Sequence, residues 1–97
     1  MSYRVSGRAR RDLDETAAFI AVDSPRAAIQ QRDAIRAAFE LIGENPSIGH
    51  VRPDITDKPL RFWNVSGRYT VIYRENGAEA FIARVLGAGR DIANLLG

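Results

Sequence analysis

The sequence contains no cysteine and a single histidine, His50. The lack of thiols excludes a disulfide framework and a cysteine-ligated zinc site, and His50 stands in a predicted loop without a carboxylate cluster at ligand spacing. The longest unbroken apolar run covers residues 17–22, far short of the roughly 20 residues that a membrane span needs. No apolar signal core follows the arginines near the N-terminus. We therefore expect no bound metal, no cofactor, no membrane partner and a cytoplasmic location.

Lysine is almost absent as well. Of the fourteen basic residues, thirteen are arginines and Lys58 is the only lysine, against twelve acidic residues. Arginine is suited to planar contacts with carboxylates, phosphates and aromatic rings. Three arginines near the N-terminus stand four residues before an acid: Arg8–Asp12, Arg10–Asp14 and Arg11–Glu15. This spacing favours a solvated helix face with ion pairs over a nucleic-acid patch.

The order of elements predicts one α+β domain covering residues 1–97. A short strand at residues 3–6 precedes a helix at about 8–22, for which Ser6 is a suitable N-cap. Ser24 and Pro25 start a second helix that ends at Gly43, so the two helices form a hairpin. A loop rich in turn-forming residues covers 43–59, and strands follow from Leu60.

Two turn signals, Asn76-Gly77 and Ser66-Gly67, define the predicted hairpins of the sheet. Counted as two-residue turns, they pair Val71 with both Ile82 and Phe62. One sheet face is then mostly apolar and packs on the helices: Leu60, Phe62, Asn64, Tyr69, Val71, Tyr73, Ala80, Ile82, Arg84 and Leu86. The other face mixes arginines with large apolar side chains, and its candidates for partner binding are Arg61, Trp63, Arg68, Ile72 and Phe81. The loop of residues 43–59, the C-terminal tail or a partner is expected to cover this second face.

The segment Gly87-Ala-Gly-Arg-Asp91 follows a strand, as a dinucleotide fingerprint does, but Asp91 or Ile92 takes the place of the third glycine. This departure argues against nucleotide binding, and the glycines are typical of a close turn. A metal-free ribonuclease site stays open as an alternative, because strand arginines and tyrosines offer charge stabilisation and a proton donor. These residues are Arg61, Arg68, Arg74, Arg84, Tyr69 and Tyr73. An obvious general base is missing.

Several segments in sequence together resemble the ParE toxins of the RelE/ParE superfamily. They are "ARRDLDETAAFIA", "DSPRAA", "ENPSIGH", "RFWNVSGRYTVIYR" and the terminal "RDIANLL" after "RVL". The resemblance covers nearly the whole chain. It implies an N-terminal strand, a two-helix hairpin packed on a small twisted antiparallel sheet, and a short C-terminal tail. It also implies the toxin of a type II toxin-antitoxin system that a ParD-like antitoxin neutralises in a hetero-oligomer.

The resemblance further implies growth inhibition through DNA gyrase and no enzymatic activity, with DNA reached only through the antitoxin. The alternatives are a RelE-like ribosome-dependent mRNA endonuclease and a binding module that has lost toxicity. RelE places lysines on its sheet that this chain lacks, and this difference favours a ParE toxin over a RelE-like endonuclease. Many ParE-like chains carry a histidine where this one has Gly87, a departure from the family pattern that bears on its toxicity. We expect the target-binding residues in the tail: Arg90, Asp91, Ile92, Leu95 and Leu96.

Overall fold

The computed structural model describes residues 2–87 and 90–96 and shows an α+β fold with two long helices on one face of a five-stranded sheet. The elements are β1 (Tyr3–Val5), α1 (Gly7–Asp23), α2 (Pro25–Glu44), β2 (His50–Val51), β3 (Arg61–Val65), β4 (Tyr69–Asn76), β5 (Glu79–Gly87) and α3 (Ile92–Leu96). The strand order is β1-β5-β4-β3-β2, with β1 parallel to β5 and the other pairs antiparallel. The predicted fold class is confirmed; β2 falls inside the predicted loop.

Local capping chemistry positions both helices as the sequence predicts. Ser6 Oγ accepts a hydrogen bond from the Ala9 N–H at 2.9 Å, and Ser24 Oγ accepts one from the Ala27 N–H at 3.1 Å. Each cap satisfies a backbone donor that the first helical turn leaves unpaired. Pro25 occupies the first turn of α2, where its missing N–H costs no helical hydrogen bond.

The main core lies between the helix hairpin and the sheet. It contains Ala9, Ile35, Ala38, Phe39 and Ile42 from the helices and Val65, Val71, Tyr73, Ala80, Ile82 and Val85 from the strands. Tyr3 joins it through a tilted contact with Phe39, with ring centroids 5.6 Å apart. β1 is thus fixed both by its pairing with β5 and by packing against α2.

The predicted strand register is wrong in three places. At the second hairpin the two turn residues are Gly77 and Ala78, and Asn76 pairs with Glu79, so the pairs lie two residues from the predicted ones and the strands keep their faces. At the first hairpin, Ser66 and Gly67 do adopt left-handed conformations with φ of 57° and 66°, but Val65 pairs with Tyr69, so the loop holds one residue more than predicted. In β5, Ala83 has no partner in β4 because Tyr73 pairs with Ile82 and Ile72 with Arg84. This is a β-bulge. A slip of one residue exchanges the two faces of a strand, so β3 and the end of β5 are reversed.

The C-terminal tail covers much of the second face of the sheet. Leu60, Phe62, Ile72 and Leu86 form a second core there, with Ile55, Ile92, Leu95 and Leu96 packed against it. The placement of Leu60, Phe62 and Leu86 on the helix side is therefore wrong, whereas that of Tyr69, Val71, Tyr73, Ala80 and Ile82 is confirmed. The tail and the loop of residues 43–59 therefore both cover this face, in agreement with two of the three alternatives predicted from the sequence.

No helix in the described part of the chain is long and apolar enough to cross a membrane.

Candidate partner-binding surfaces

A groove of about 460 Å³ runs between the two long helices and β1. Its lining contains Tyr3, Val5, Leu13, Ala17, Ile35 and Phe39, with Arg10, Arg32, Arg36 and Asp14 among them. The three arginines are exposed, since they lie at helix positions that point away from the core. The groove therefore combines an apolar lining with a net positive charge, which fits a segment that carries acidic groups among apolar anchors.

β1 borders this groove and is an edge strand of the sheet. One side of β1 pairs with β5 through Tyr3, Arg4 and Val5. An edge strand presents unpaired N–H and C=O groups along its other side, and these can bind an extended partner segment. The groove and the strand edge together form one continuous candidate docking surface.

The five predicted partner-binding residues do not share one face. Arg61 and Trp63 pair with Tyr73 and Val71, which belong to the helix-side core, whereas Ile72 lies on the opposite face. Ile72 is 0% exposed beneath the tail, so the prediction that it lines an open surface is wrong. The register slip in β3 separates Arg61 and Trp63 from Ile72, whereas Ile72 itself is buried because the tail packs on its face of the sheet.

Arg61 holds the loop between α2 and β2 in place. Its guanidinium donates to the Glu75 carboxylate at 2.7 Å and to the Gly49 carbonyl at 2.8 Å. These bonds tie β3, β4 and the loop together. The role of Arg61 in this structure is therefore intramolecular, although it stays partly exposed.

Trp63, Arg68 and Phe81 are each accessible in different places. Trp63 is half-buried against the helix-side core, and its ring stacks on His50 with centroids 6.2 Å apart. Arg68 is exposed in the loop between β3 and β4, and half-buried Phe81 faces away from the helices. The Arg74 guanidinium lies over the Phe81 ring, 4.9 Å from its centroid.

Tyr73 is completely buried, and its hydroxyl is fully engaged. It accepts a hydrogen bond from the Gly49 N–H at 2.8 Å and donates one to the Pro46 carbonyl at 2.7 Å. Burial raises the pKa of Tyr73, and the Gly49 N–H opposes that shift only in part. This tyrosine fixes the loop and is not placed to donate a proton to a substrate.

A buried ion pair between α1 and β5 was not predicted from the sequence. Asp12 accepts two hydrogen bonds from Arg84, at 2.9 and 3.1 Å, and one from the Val85 N–H at 2.9 Å. The bonds to Asp12 raise the pKa of Arg84. Sequence spacing paired Asp12 with Arg8, which lies at the edge of salt-bridge distance, 4.0 Å. An acid between Ala9 and Leu13 on the buried face of α1 was the signal that it needed an interior partner.

The tail places its predicted residues in two groups. Arg90 and Asp91 are exposed, and Asp91 accepts hydrogen bonds from the backbone and side-chain amides of Asn94. The three apolar residues, Ile92, Leu95 and Leu96, are half-buried on the second core. Lys58 Nζ donates to the Leu96 carbonyl at 2.6 Å and holds the end of α3.

Gly87 lies beside Tyr69 in a cleft of about 380 Å³, which Arg90, Glu15 and Phe19 also line. A Cβ on Gly87 would lie 3.6 Å from the nearest Tyr69 carbon, an ordinary van der Waals contact. Glycine is therefore not required here by the backbone or by packing.

Among residues 2–87 and 90–96, no three histidine, aspartate or glutamate side chains lie close enough to hold a metal ion.

Comparison with protein families gives one decisive match. The family described as "ParE toxin of type II toxin-antitoxin system, parDE" matches residues 3–92. The chain belongs to the ParE toxin family. The match includes both helices, the whole sheet and the start of α3, and it confirms the resemblance drawn from the sequence.

Solved structures agree with the ParE fold. A chain from the chromosomal ParDE toxin-antitoxin system of P. aeruginosa superposes with a TM-score of 0.72 at 21% identity, over 90% of this chain and 95% of that one. A conserved hypothetical protein from Helicobacter pylori matches with a TM-score of 0.51 at 13% identity, over 93% and 97% of the two chains. At these identities the likeness concerns the fold alone. No curated protein sequence matches the chain.

Proposed function

We propose that this ParE-family toxin is neutralised by a ParD-like antitoxin in a hetero-oligomer and inhibits DNA gyrase without catalysing a reaction itself. The observation that carries the proposal is the family match over residues 3–92. The P. aeruginosa structure, which comes from a ParDE system, supports an antitoxin partner. Gyrase as the target places the activity in the cytoplasm, and the antitoxin supplies the contact with operator DNA.

The groove beside β1 supports the antitoxin part of the proposal. Its apolar floor accepts anchors spaced at i, i+3 or i+4, and i+7 of a helix, or alternate residues of a strand. Arg10, Arg32 and Arg36 give it a positive charge that attracts acidic groups of the partner. The proposed occupant is thus an acidic, apolar segment of the antitoxin.

The tail supports the target part of the proposal. Arg90 and Asp91 are exposed where the chain leaves the sheet, and the Arg90 guanidinium offers a fork of donors to a target carboxylate or phosphate. Ile92, Leu95 and Leu96 are half-buried, so part of each side chain is accessible on the same segment. We propose that Arg90 and Asp91 make the first contacts with gyrase.

An mRNA endonuclease is the alternative, and the geometry of its candidate residues favours it less. Tyr73 is buried with its hydroxyl bonded to the loop. Arg84 is paired with Asp12, and Arg61 is paired with Glu75. These three groups already have partners within the chain, so they are not poised to meet a phosphodiester.

The deciding experiment expresses the chain in cells with and without its co-encoded antitoxin. Gyrase poisoning predicts induction of a DNA-damage reporter and accumulation of cleaved DNA–gyrase complexes, both reversed by the antitoxin. Specific mRNA cleavage without DNA damage would favour the endonuclease instead. Normal growth with intact antitoxin binding would identify a binding module that has lost toxicity.

Purified components provide the matching biochemical test. Gyrase-dependent supercoiling of relaxed plasmid is expected to fall as toxin is added and to recover when antitoxin is added. Topoisomerase I relaxation of the same plasmid is the control, because it acts on the same DNA without gyrase. Equal inhibition of both enzymes would contradict a gyrase-specific action.

A further inference from the structure

Three side chains form a row across the sheet on the face away from the helices. Arg4 of β1 pairs with Phe81 of β5, and Phe81 pairs with Arg74 of β4. Paired residues of neighbouring strands point to the same face. Phe81 alternates with Ala80 and Ile82, which are buried in the helix-side core, so the row lies on the opposite face. We call these three residues the arginine row.

The arginine row lies outside the area that the tail covers. α3 packs against Leu60, Phe62, Ile72 and Leu86, and Phe81 belongs to neither of the two cores. Phe81 is nevertheless half-buried, and the Arg74 guanidinium lies over its ring, 4.9 Å from the centroid. A cation–π contact of this kind restrains the guanidinium and leaves its N–H groups available as donors to a partner.

The second arginine of the row, Arg4, lies near an acid at the edge of the sheet. Arg4 Nε lies 3.6 Å from the Glu79 carboxylate, and Ser2 Oγ donates to the same carboxylate at 2.6 Å. Arg4 stays 75% exposed, so its guanidinium keeps donors available to a partner. Two strand spacings place the Cα atoms of Arg4 and Arg74 roughly 10 Å apart. Successive acidic side chains on one partner segment can span that distance.

We propose that the arginine row binds an acidic segment of the antitoxin, which continues from the groove around the edge of β1 onto the other face of the sheet. The proposal rests on the proposed function, because it assumes the antitoxin as partner. Two observations carry it: the row presents two exposed guanidinium groups, and β1, the edge strand that borders the groove, also carries Arg4 of the row. The antitoxin thereby contacts β1 on both faces of the sheet.

The row fits carboxylates of a protein better than a nucleic acid. Glu79 lies beside Arg4, so the row offers two separate cations to individual carboxylates and no continuous positive track for a run of phosphates. Single-stranded nucleic acid also needs aromatic faces on which bases stack. Here the Arg74 guanidinium already occupies the face of the Phe81 ring.

The test measures the affinity of the full chain for its co-encoded antitoxin at several salt concentrations. Arg74→Glu is expected to weaken binding at least about tenfold, because it puts a negative charge where the row needs a positive one. Arg74→Lys keeps the charge but loses the planar fork, so an intermediate loss is expected. Phe81→Ala removes the ring that orients Arg74 and is expected to weaken binding while leaving the net charge unchanged.

The matched control is Arg26→Glu, an equal charge reversal at an exposed site in the first turn of α2, where an acid is compatible with the helix dipole. It is expected to change affinity less than about twofold. Thermal unfolding of each variant checks that the fold is intact. A charge reversal of one antitoxin acid to lysine is expected to restore binding to Arg74→Glu, which a general loss of stability would not allow.

The outcomes distinguish a failure of antitoxin binding from a failure of the arginine row alone. If the wild-type chain does not bind its antitoxin, the proposed function fails. If the wild type binds and Arg74→Glu binds equally well, only the assignment of the arginine row is overturned. A gel shift with duplex and single-stranded DNA is run in parallel; loss of DNA binding in Arg74→Glu with antitoxin affinity retained would also overturn it.

Discussion

Asp12 on α1 and Arg84 on β5 form a buried ion pair with two hydrogen bonds of 2.9 and 3.1 Å. The same carboxylate accepts the Val85 N–H, beyond the point where β1 stops pairing with β5. Just before Val85 in β5, the Ser6 N–H donates to the Ile82 carbonyl and Ser6 Oγ donates to the Ala83 carbonyl. Groups of Ser6 and Asp12 thus form hydrogen bonds with backbone N–H and C=O groups of β5 where no strand lies beside it. α1 is joined to the sheet by this pair as well as by apolar packing.

Asp12→Ala is expected to be strongly destabilising. It leaves the Arg84 guanidinium, 12% exposed, and the Val85 N–H without their partner, and breaking a buried pair in this way costs about 3–5 kcal/mol. Urea denaturation followed by circular dichroism measures the loss. Arg8→Ala is the control, since Arg8 is half-exposed and only 4.0 Å from Asp12, and should cost less than about 1 kcal/mol. Equal effects of the two substitutions would contradict a structural role for the Arg84 pair.

Gly49→Ala is expected to loosen the loop between α2 and β2. A Cβ at this position would lie 2.7 Å from the Tyr73 hydroxyl and 2.8 Å from a ring carbon, closer than a packed interior allows. Relief requires movement of a fully buried ring or of the loop, which typically costs about 1–3 kcal/mol. Gly7→Ala is the matched control, because no atom lies within 4 Å of its Cβ position. Similar melting temperatures for both variants would argue against this close contact.

The raised pKa of Tyr73 predicts a loss of stability in alkaline solution. The unfolded chain ionises this phenol near its ordinary pKa of 10.0, while the folded chain keeps it protonated to higher pH. The contribution of the protonated Tyr73 phenol to the unfolding free energy is therefore fully present below about pH 10 and declines as the pH rises through the folded pKa. Unfolding free energies of wild type and Tyr73→Phe, measured from pH 8 to 11, test this. The variant is expected to be less stable at pH 8 because it lacks two hydrogen bonds, and to show a shallower decline above pH 10. Parallel declines would contradict the prediction.

Features that depend on contacts between residues close in the sequence could be predicted, and features that depend on contacts between distant residues could not. Ser6 and Ser24 cap helices through atoms three residues away, so local sequence was enough to place both helices. The faces that β3 and the end of β5 bury depend instead on Arg68, the additional loop residue, and on the bulge at Ala83. Nothing near either position distinguishes one extra residue from none, and one residue decides which face is buried. The Asp12–Arg84 pair joins positions 72 residues apart and is likewise invisible to local patterns.

Association with the antitoxin is expected to slow as the salt concentration rises. Arg10, Arg32 and Arg36 on the groove are exposed, so they steer an acidic partner at long range and are screened by ions. Stopped-flow measurements between about 50 and 500 mM NaCl are expected to show an association rate that falls at least about tenfold. The double substitution Arg32→Gln and Arg36→Gln should reduce both the rate at low salt and its salt dependence. An association rate that is equal at all salt concentrations would contradict steering by these arginines.

The tail is expected to serve both stability and toxicity, through different residues. Ile92, Leu95 and Leu96 pack on the second core, so removing residues 90–97 should lower the unfolding free energy by roughly 2–4 kcal/mol, since each side chain is partly buried. Arg90→Ala removes only an exposed side chain and should change stability by less than about 0.5 kcal/mol.

Arg90→Ala therefore isolates toxicity from folding. It is expected to bind antitoxin and unfold at the wild-type temperature, but to lose growth inhibition and gyrase poisoning, because a donor fork toward the target is gone. Arg26→Ala, another exposed arginine far from the tail in sequence, should remain toxic. Leu95→Ala should instead lower the melting temperature by weakening the contact between α3 and the sheet. Growth assays, gyrase assays and thermal unfolding on the same three variants decide the matter: if Arg90→Ala inhibits growth as strongly as Arg26→Ala does, Arg90 is not a target contact.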